Sequence, residues 1–288
     1  HDLITSDGTT LLGSDDKAGV AILMQLAEDL LADPSQPRPS IRLCFTIDEE
    51  IGRGVDKLDL EKLGASVAYT IDGSGTDTIS TETFNAAEAV LKIDGVMVHP
   101  GYARDVMVNA ARILATMLAA LPTDRAPETT TDRQGYIHIH KIHEGNAAHA
   151  GATLILRDFE EAGLESFKQL LRDLVERYRA QHPRASFTLD IRDQYRNMRS
   201  YIAEKDERVV TFAYRAANEM GIDLTEELVR GGTDGSRLSE MGLPTPNVFN
   251  GGHDYHSCFE WNTVQNIERS LQYVKVLMEY WARHGGQN

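Results

Sequence analysis

The first regular pattern of hydrophobic positions in the chain is helical. Val20, Leu23, Ala27 and Leu30 recur every three or four residues, so they fall on one face of a helix that the pattern predicts over residues 17–31. The proline-rich stretch 34–39 cannot continue a helix and marks its end. The pattern therefore predicts one amphipathic helix near the start of the sequence.

Two short and nearly continuous apolar runs follow, over residues 41–47 and 67–71. Apolar runs of this length are typical of strands that helices cover on both faces. Strands that alternate with helices in this way predict a parallel sheet. This part of the chain is therefore expected to form an α/β domain.

A different order of elements begins at about residue 88. The pattern predicts, in turn, a strand to 93, a helix over 106–121, a strand over 136–143, a strand over 153–156, a helix over 160–178 and a strand around 187–191. This order, strand-helix-strand-strand-helix-strand, is that of the ferredoxin-like fold.

The last part of the chain returns to the α/β pattern. It predicts a helix over 206–220, a short strand over 245–249 and a closing helix over 264–281. We therefore predict one α/β domain, with a mixed and mostly parallel sheet and helices on both faces, formed by residues 1–84 and 197–288. An inserted ferredoxin-like α+β domain, residues 85–196, interrupts it, and a length of about 110 residues is ordinary for a domain.

Composition narrows the possible functions. The 288 residues include 44 acidic and 29 basic side chains, a net charge of −15 that would repel a nucleic acid. The hydrophobic content of 41% is enough for a folded core, and no apolar run reaches the ~18 residues of a membrane helix. With only two cysteines in a chain of this length, we expect a reducing compartment, the cytoplasm, and no disulfide framework.

Acidic residues or histidines cluster where predicted strands end or turns begin. The clusters are GSDDK at 13–17, DEEIG at 48–52, Asp72 and GGHDYH at 251–256. Open α/β sheets bind their ligands at the carboxyl ends of strands. Carboxylates together with an imidazole are ligands of zinc and other borderline divalent ions, so the four clusters together predict a metal site.

Each cluster also has a simpler interpretation. Asp15 and Asp16 precede a helix and could cap it, and the carboxylates at 48–50 could be solvated loop residues. Asp72 could be an ordinary turn residue, and an isolated histidine is more often a surface or core residue than a ligand.

The motifs, in their order and spacing, resemble the peptidase T family, the tripeptide aminopeptidases among the co-catalytic two-zinc metallopeptidases. The matching stretches are LLGSDDKAG at 11–19, DEEIGRG at 48–54, FNAA at 84–87, VHPG at 98–101, LRDF at 156–159 and RGGTDG at 230–235. The likeness runs from about Leu3 to the C-terminal helix. It implies zinc-dependent hydrolysis of the N-terminal peptide bond of tripeptides.

The resemblance also implies a set of metal ligands. Asp15 would bridge two zinc ions and would be joined to Asp16 by a cis peptide bond. Glu50 and His256 would bind one zinc ion, and Asp72 would bind the other.

Further roles follow from the same resemblance. Glu49 would be the general base that activates the attacking water. His99 would reach into the partner subunit's site and stabilise the oxyanion, while Asn109, Arg157 and Arg230 would bind the peptide substrate. The inserted domain would be a lid that also forms a homodimer. In simpler interpretations, Arg157 pairs with the neighbouring Asp158, and His99 is a turn residue.

One family motif is not found in the sequence. The family takes a further zinc ligand from a His-x-Asp motif, and no histidine of this chain is followed two residues later by aspartate. The resemblance therefore implies a chain that is truncated at its N-terminus, with one zinc site incomplete and no activity of its own. Two alternatives stay open, namely a related dipeptidase, carboxypeptidase or N-acyl-amino-acid deacylase, and a non-catalytic dimeric binding protein.

Overall fold

The chain folds into two compact units. A computed structural model describes residues 1–143 and 145–286. The first unit comprises His1–Thr83 and Met198–Asn288, and the second comprises Phe84–Asn197.

The described part of the first unit contains both helices and short strands. Its strands are β1 (Leu3–Thr5), β2 (Thr70–Gly73), β3 (Thr78–Ser80), β8 (Thr225–Glu226), β9 (Asn247–Phe249) and β10 (Trp261–Thr263). Its helices are α1 (Ser14–Ala32), α2 (Leu60–Leu63), α5 (Met198–Lys205), α6 (Arg208–Glu219), α7 (Asp234–Glu240) and α8 (Val264–His284).

A mixed sheet forms the centre of the first unit, as predicted. Its strand order is β2-β9-β3-β8, in which β2 pairs with β9 and β3 with β8 in parallel, whereas β3 and β9 are antiparallel. Ile71, Ile79, Val248 and Phe249 of these strands are buried against side chains of α1, α6 and α8. Strands β1 and β10 form a separate antiparallel pair.

The predicted strand over residues 41–47 is wrong. These residues are all described and form no strand. Ile41 and Leu43 pack against the core, but Phe45 and Ile47 are 49% and 80% exposed. A strand needs a neighbour that takes its backbone hydrogen bonds, and an apolar run does not show whether that neighbour exists.

The second unit has the predicted ferredoxin-like topology. Its elements are β4 (Asn85–Asp94), α3 (Ala110–Ala119), β5 (Tyr136–His143), β6 (His149–Asp158), α4 (Glu161–Gln181) and β7 (Ser186–Tyr195). The strand order is β5-β6-β4-β7 and every pair is antiparallel. Ala87, Ala89, Leu91 and Ile93 alternate along β4 and are buried with apolar residues of α3 and α4. Alternation at a period of two therefore places this face of the sheet under the helices.

Among the residues described, no helix combines the length and the apolar character that crossing a lipid bilayer requires.

Candidate metal centre

Two consecutive aspartates in the loop that enters α1 have different surroundings. The peptide bond between Asp15 and Asp16 is cis. The Asp16 carboxylate accepts hydrogen bonds from the backbone N–H of Gly19 (3.0 Å) and from Nδ2 of Asn250 (2.8 Å). Asp16 therefore caps the regular part of α1. The Asp15 carboxylate instead contacts the ring of His256.

Helix α1 approaches strand β2 closely at Gly19. A Cβ atom on this glycine would lie 2.3 Å from the carbonyl oxygen of Ile71, so any larger residue would push the helix away. The close approach brings the start of α1 beside Asp72, the residue after Ile71. Asp15 lies close enough to Asp72 to raise the pKa of Asp72, by its charge and by a side-chain hydrogen bond.

A short 3₁₀ turn, Glu49–Ile51, carries the two glutamates. The chain enters the turn at Asp48 and leaves it at Gly52, both in the left-handed region with φ of 65° and 68°. The Glu50 side chain is exposed, and its Oε2 lies 3.3 Å from Nε2 of His256. The turn thus presents Glu50 to the histidine.

His256 lies in a loop that is held by hydrogen bonds between its own residues. His256 and Asp254 both have positive φ, 58° and 55°. The backbone of His253 pairs with that of Trp261, and the indole Nε1 of Trp261 donates to Oδ2 of Asp254 (3.0 Å). In this loop His256 points Nε2 at Oδ2 of Asp15, 3.0 Å away.

The donor set fits a divalent metal ion. Asp15, Glu50 and His256 each offer one ligand atom, and these atoms lie within 4.8 Å of one another. Two carboxylates and an imidazole are ligands that Zn²⁺ and similar ions prefer. Burial, and then the charges of Asp16, Asp15 and nearby carboxylates, raise the pKa of Asp72 well above its usual range. A cation offsets this repulsion between carboxylates.

Glu49 lies among these carboxylates but is not one of the three clustered ligands. Burial raises its pKa to about 7, and the charges of Asp234 and Glu50 act in the same direction. A backbone hydrogen bond from Asp234 acts in the opposite direction and lowers this pKa. A carboxylate with a pKa near neutrality suits a general base.

The crowded carboxylates predict that the metal-free protein loses stability as the pH rises. Burial also raises the pKa of Asp16 to about 7, whereas Asp and Glu in an unfolded chain have a pKa of about 4. Below about pH 4 the carboxyl groups of Glu49 and Asp16 are protonated in both states, and their contribution to the free energy of unfolding is fully present. Between about pH 4 and 7 the folded state keeps protons that the unfolded state has released, so this contribution is lost as the pH rises through about 7.

We therefore expect the Tm of the metal-free protein to fall between about pH 5 and pH 8 in differential scanning calorimetry. Added Zn²⁺ should raise Tm more at the higher pH, because it replaces the missing protons as a counter-charge. A metal-free Tm that rises across this range would contradict the prediction.

Two predicted residues of the second unit lie at the starts of short helical segments. His99 precedes the exposed turn Pro100–Tyr102, and its Nδ1 accepts the N–H of Gly101 (3.1 Å). The ring proton of a neutral His99 is therefore on Nε2, which is left as a hydrogen-bond donor. Asn109 caps α3, with its Oδ1 accepting the N–H of Arg112 (3.0 Å).

The two predicted arginines lie in different units. Arg157, in β6, donates to the carbonyl of Leu156 (2.9 Å) and to Oε1 of Gln194 (3.1 Å), and its guanidinium lies 5.3 Å from the ring of Tyr195. These contacts hold the guanidinium against β7. Arg230 is half-buried in the first unit, in the loop that leads to α7.

Several buried side chains that support the site had no role predicted from the sequence. Asn250 is fully buried and donates to Asp16, and Asn247 accepts the N–H of Asp72 (3.0 Å). Glu260 is also buried, close to the loop of Asp15. The sequence feature that could have identified them is a polar residue within or beside an apolar strand. Such a residue is uncommon unless its polar group is hydrogen-bonded.

Comparisons with known proteins all point to one family. The sequence model of peptidase family M20/M25/M40 matches residues 11–280 of this chain. The chain is 43% identical over 281 residues to a peptidase T of Ligilactobacillus salivarius. The aligned region covers 96% of this chain and 68% of that protein.

Solved structures show the same fold. An aminopeptidase PepT from Bacillus cereus superposes with a TM-score of 0.81 at 24% identity, covering 97% of this chain and 74% of that one. A tripeptidase from Staphylococcus aureus gives a TM-score of 0.84 at 22% identity, covering 98% and 75%. The chain therefore belongs to peptidase family M20/M25/M40 and, within it, to the peptidase T group.

Proposed function

We propose that this protein is a zinc-dependent aminopeptidase that hydrolyses the N-terminal peptide bond of tripeptides. The observation that carries the proposal is the convergence of Asp15, Glu50 and His256, with Glu49 in the same turn as Glu50. The names of the relatives, peptidase T and tripeptidase, support the substrate class.

The donor types support zinc in particular. In this proposal Asp15, Glu50 and His256 would hold one ion, and Asp15 and Asp72 would contribute ligands to a second. Imidazole nitrogen with carboxylate oxygen is a usual ligand combination of catalytic zinc. A bound divalent ion would supply a Lewis acid that acidifies water and polarises the scissile carbonyl.

The protein's own contribution is proton transfer and positioning. Glu49 takes a proton from the attacking water while the water oxygen forms a bond to the carbonyl carbon. Glu49 then delivers that proton to the nitrogen of the leaving amine as the peptide bond breaks. The products are a free amino acid and a dipeptide, so atoms and charge balance without a further reactant.

Four further residues supply polar groups in this proposal, namely His99, Asn109 and Arg157 of the second unit and Arg230 of the first. Nε2 of His99 reaches the partner subunit's site and donates a hydrogen bond to the carbonyl oxygen there as that oxygen gains negative charge. Asn109 and Arg230 bind the peptide backbone. Arg157 binds the terminal carboxylate, a task that suits its planar and permanently charged guanidinium.

Arg157→Ala should raise KM for a tripeptide about tenfold or more and change kcat much less, because a charge pair with the substrate carboxylate contributes to binding. The measurement is steady-state hydrolysis of a free tripeptide by the protein as its gene encodes it, with the released amino acid and dipeptide quantified. The same peptide with an amidated C-terminus is the matched control, since it lacks the carboxylate.

An unchanged KM for the free tripeptide would exclude Arg157 from substrate binding. Cleavage of N-acyl amino acids or dipeptides in place of tripeptides would contradict the proposed substrate class and favour another hydrolase of the superfamily.

We further propose that the protein is a homodimer through the second unit. This unit exposes apolar side chains in the loop that follows β4: Met97 is 61% exposed, Tyr102 81% and Val106 45%. Exposed apolar residues grouped in sequence favour a protein contact. A monomeric sedimentation coefficient at micromolar concentration would contradict the dimer.

The proposed compartment is the cytoplasm. Both cysteines, Cys44 and Cys258, are exposed free thiols. Such thiols persist where glutathione and thioredoxin keep them reduced.

A further inference from the structure

Glu260 is a buried glutamate with an unusual pair of partners. It is 2% exposed. Its Oε2 accepts the backbone N–H of Gly13 (2.7 Å), and its Oε1 accepts the backbone N–H of Asp15 (2.9 Å). The two oxygens of one carboxylate therefore fix both ends of the three-residue segment that contains the shared metal ligand.

The residue between these two ends is held as well. Nδ2 of Asn262 donates to Oγ of Ser14 (2.8 Å), and both side chains are buried. Segment 260–262 thus holds each of the three residues 13–15 by a hydrogen bond. None of these bonds uses the Asp15 carboxylate, which stays available to a ligand.

The same segment is tied to the histidine ligand. The backbone N–H of Glu260 donates to the carbonyl of Ser257 (3.1 Å), the residue after His256. One turn of chain therefore presents His256 and, four residues later, the carboxylate that orients Asp15. The contact of 3.0 Å between Nε2 of His256 and Oδ2 of Asp15 closes this loop of interactions.

The position requires a carboxylate. The two backbone N–H groups donate to different oxygens of Glu260, and a glutamine side chain has only one oxygen. In a glutamine the amide nitrogen would face one of the donors and leave it unpaired in a buried place. Hydrogen bonds from backbone N–H to a carboxylate are also stronger than those to a neutral acceptor.

We propose that Glu260 is a positioning residue for the metal centre, which fixes the backbone of Asp15 so that its carboxylate faces His256. The inference rests on the proposed function only in so far as that function requires a metal on Asp15. Glu260 does not touch the metal or the substrate. Its effect is on the affinity and the coordination geometry of the ion, through the Asp15 backbone.

The test is metal binding by the folded chain with Glu260→Gln. The Kd for Zn²⁺ is measured by isothermal titration calorimetry in the presence of a competing chelator. We expect it to rise about 10–100-fold, which is the usual effect of removing a residue that orients a metal ligand. With Co²⁺ in place of Zn²⁺, the visible absorption bands, which report coordination geometry, should change in position or intensity.

Glu82→Gln is the matched control. Glu82 is another buried glutamate of the first unit, 4% exposed, with Arg199 at 3.7 Å. The same chemical change there is expected to lower Tm while the Zn²⁺ affinity and the Co²⁺ spectrum stay as in the unmodified chain. Unchanged affinity and an unchanged spectrum in folded Glu260→Gln would overturn the proposal.

A measurement on the unmodified chain covers the case in which Glu260→Gln does not fold. If the bonds to Gly13 and Asp15 favour metal binding, bound metal must strengthen those bonds to the same extent. Zn²⁺ should therefore slow amide hydrogen exchange at Gly13 and Asp15. Exchange there that Zn²⁺ leaves unchanged would overturn the positioning role.

Neither measurement uses a peptide. A chain that binds Zn²⁺ but cleaves no tripeptide would contradict the proposed function and leave the role of Glu260 standing. If the unmodified protein cleaves tripeptides but Glu260→Gln binds Zn²⁺ unchanged, the proposed function would stand and the role of Glu260 would be contradicted.

Discussion

Glu49→Gln is expected to lower kcat for tripeptide hydrolysis about 10²–10⁴-fold, the range in which a general base contributes. Glutamine has the same shape but cannot accept and release the proton of the attacking water. Because Glu49 is not among the three clustered ligand residues, the variant should keep the zinc content of the unmodified protein. The measurements are steady-state kinetics and elemental analysis of the same preparation.

The control for this prediction is Glu61→Gln, the same substitution at an exposed residue of the short helix α2. It should change neither kcat nor metal content. Loss of zinc in Glu49→Gln would show that Glu49 is a ligand and that the base is another group. A kcat within a few-fold of the unmodified protein would also remove Glu49 from proton transfer.

Asp15→Asn should have the largest effect on metal binding. Oδ2 of Asp15 lies 3.0 Å from Nε2 of His256, and the charge of Asp15 raises the pKa of Asp72. Loss of the Asp15 carboxylate therefore weakens both parts of the centre. We expect the Kd for Zn²⁺ to rise by more than the roughly 10–100-fold that supporting residues contribute. Isothermal titration calorimetry of the metal-free chain measures this directly.

Asp48→Asn is the matched control for the change of charge. Asp48 is an exposed aspartate directly before the two glutamates, with φ of 65°, and asparagine accepts this left-handed conformation well. Its Zn²⁺ affinity should equal that of the unmodified chain. Equal affinity in Asp15→Asn and in Asp48→Asn would mean that Asp15 is not a ligand.

The elements that the sequence predicted well are those with long and regular periodicity. Strand β5 was predicted with its bounds, Tyr136–His143, from alternating residues, and α4 and α8 from apolar positions at helical spacing. In these elements one face is buried along its whole length, so the pattern is visible in the sequence alone.

The wrong strand over 41–47 shows the limit of this reasoning. Its run of apolar residues satisfies the pattern of a buried strand, yet Ile47 is 80% exposed. Whether a run becomes a strand depends on a neighbour distant in the chain, which local hydrophobicity does not encode.

The side chains of the candidate metal site were predicted by residue type, position and family resemblance, whereas their supporting residues were not. Asn250 binds Asp16 across 234 positions of sequence, and Glu260 binds Asp15 across 245. A buried asparagine or glutamate has no periodicity of its own. Only the folded chain shows which backbone N–H or carboxylate such a residue satisfies.

The most direct test of the metal centre is anomalous X-ray diffraction at the zinc absorption edge from crystals of the Zn²⁺-loaded chain. The account predicts an anomalous peak within about 2.0–2.2 Å of a ligand atom from each of Asp15, Glu50 and His256. A zinc peak elsewhere, with these three side chains left without an ion, would contradict it.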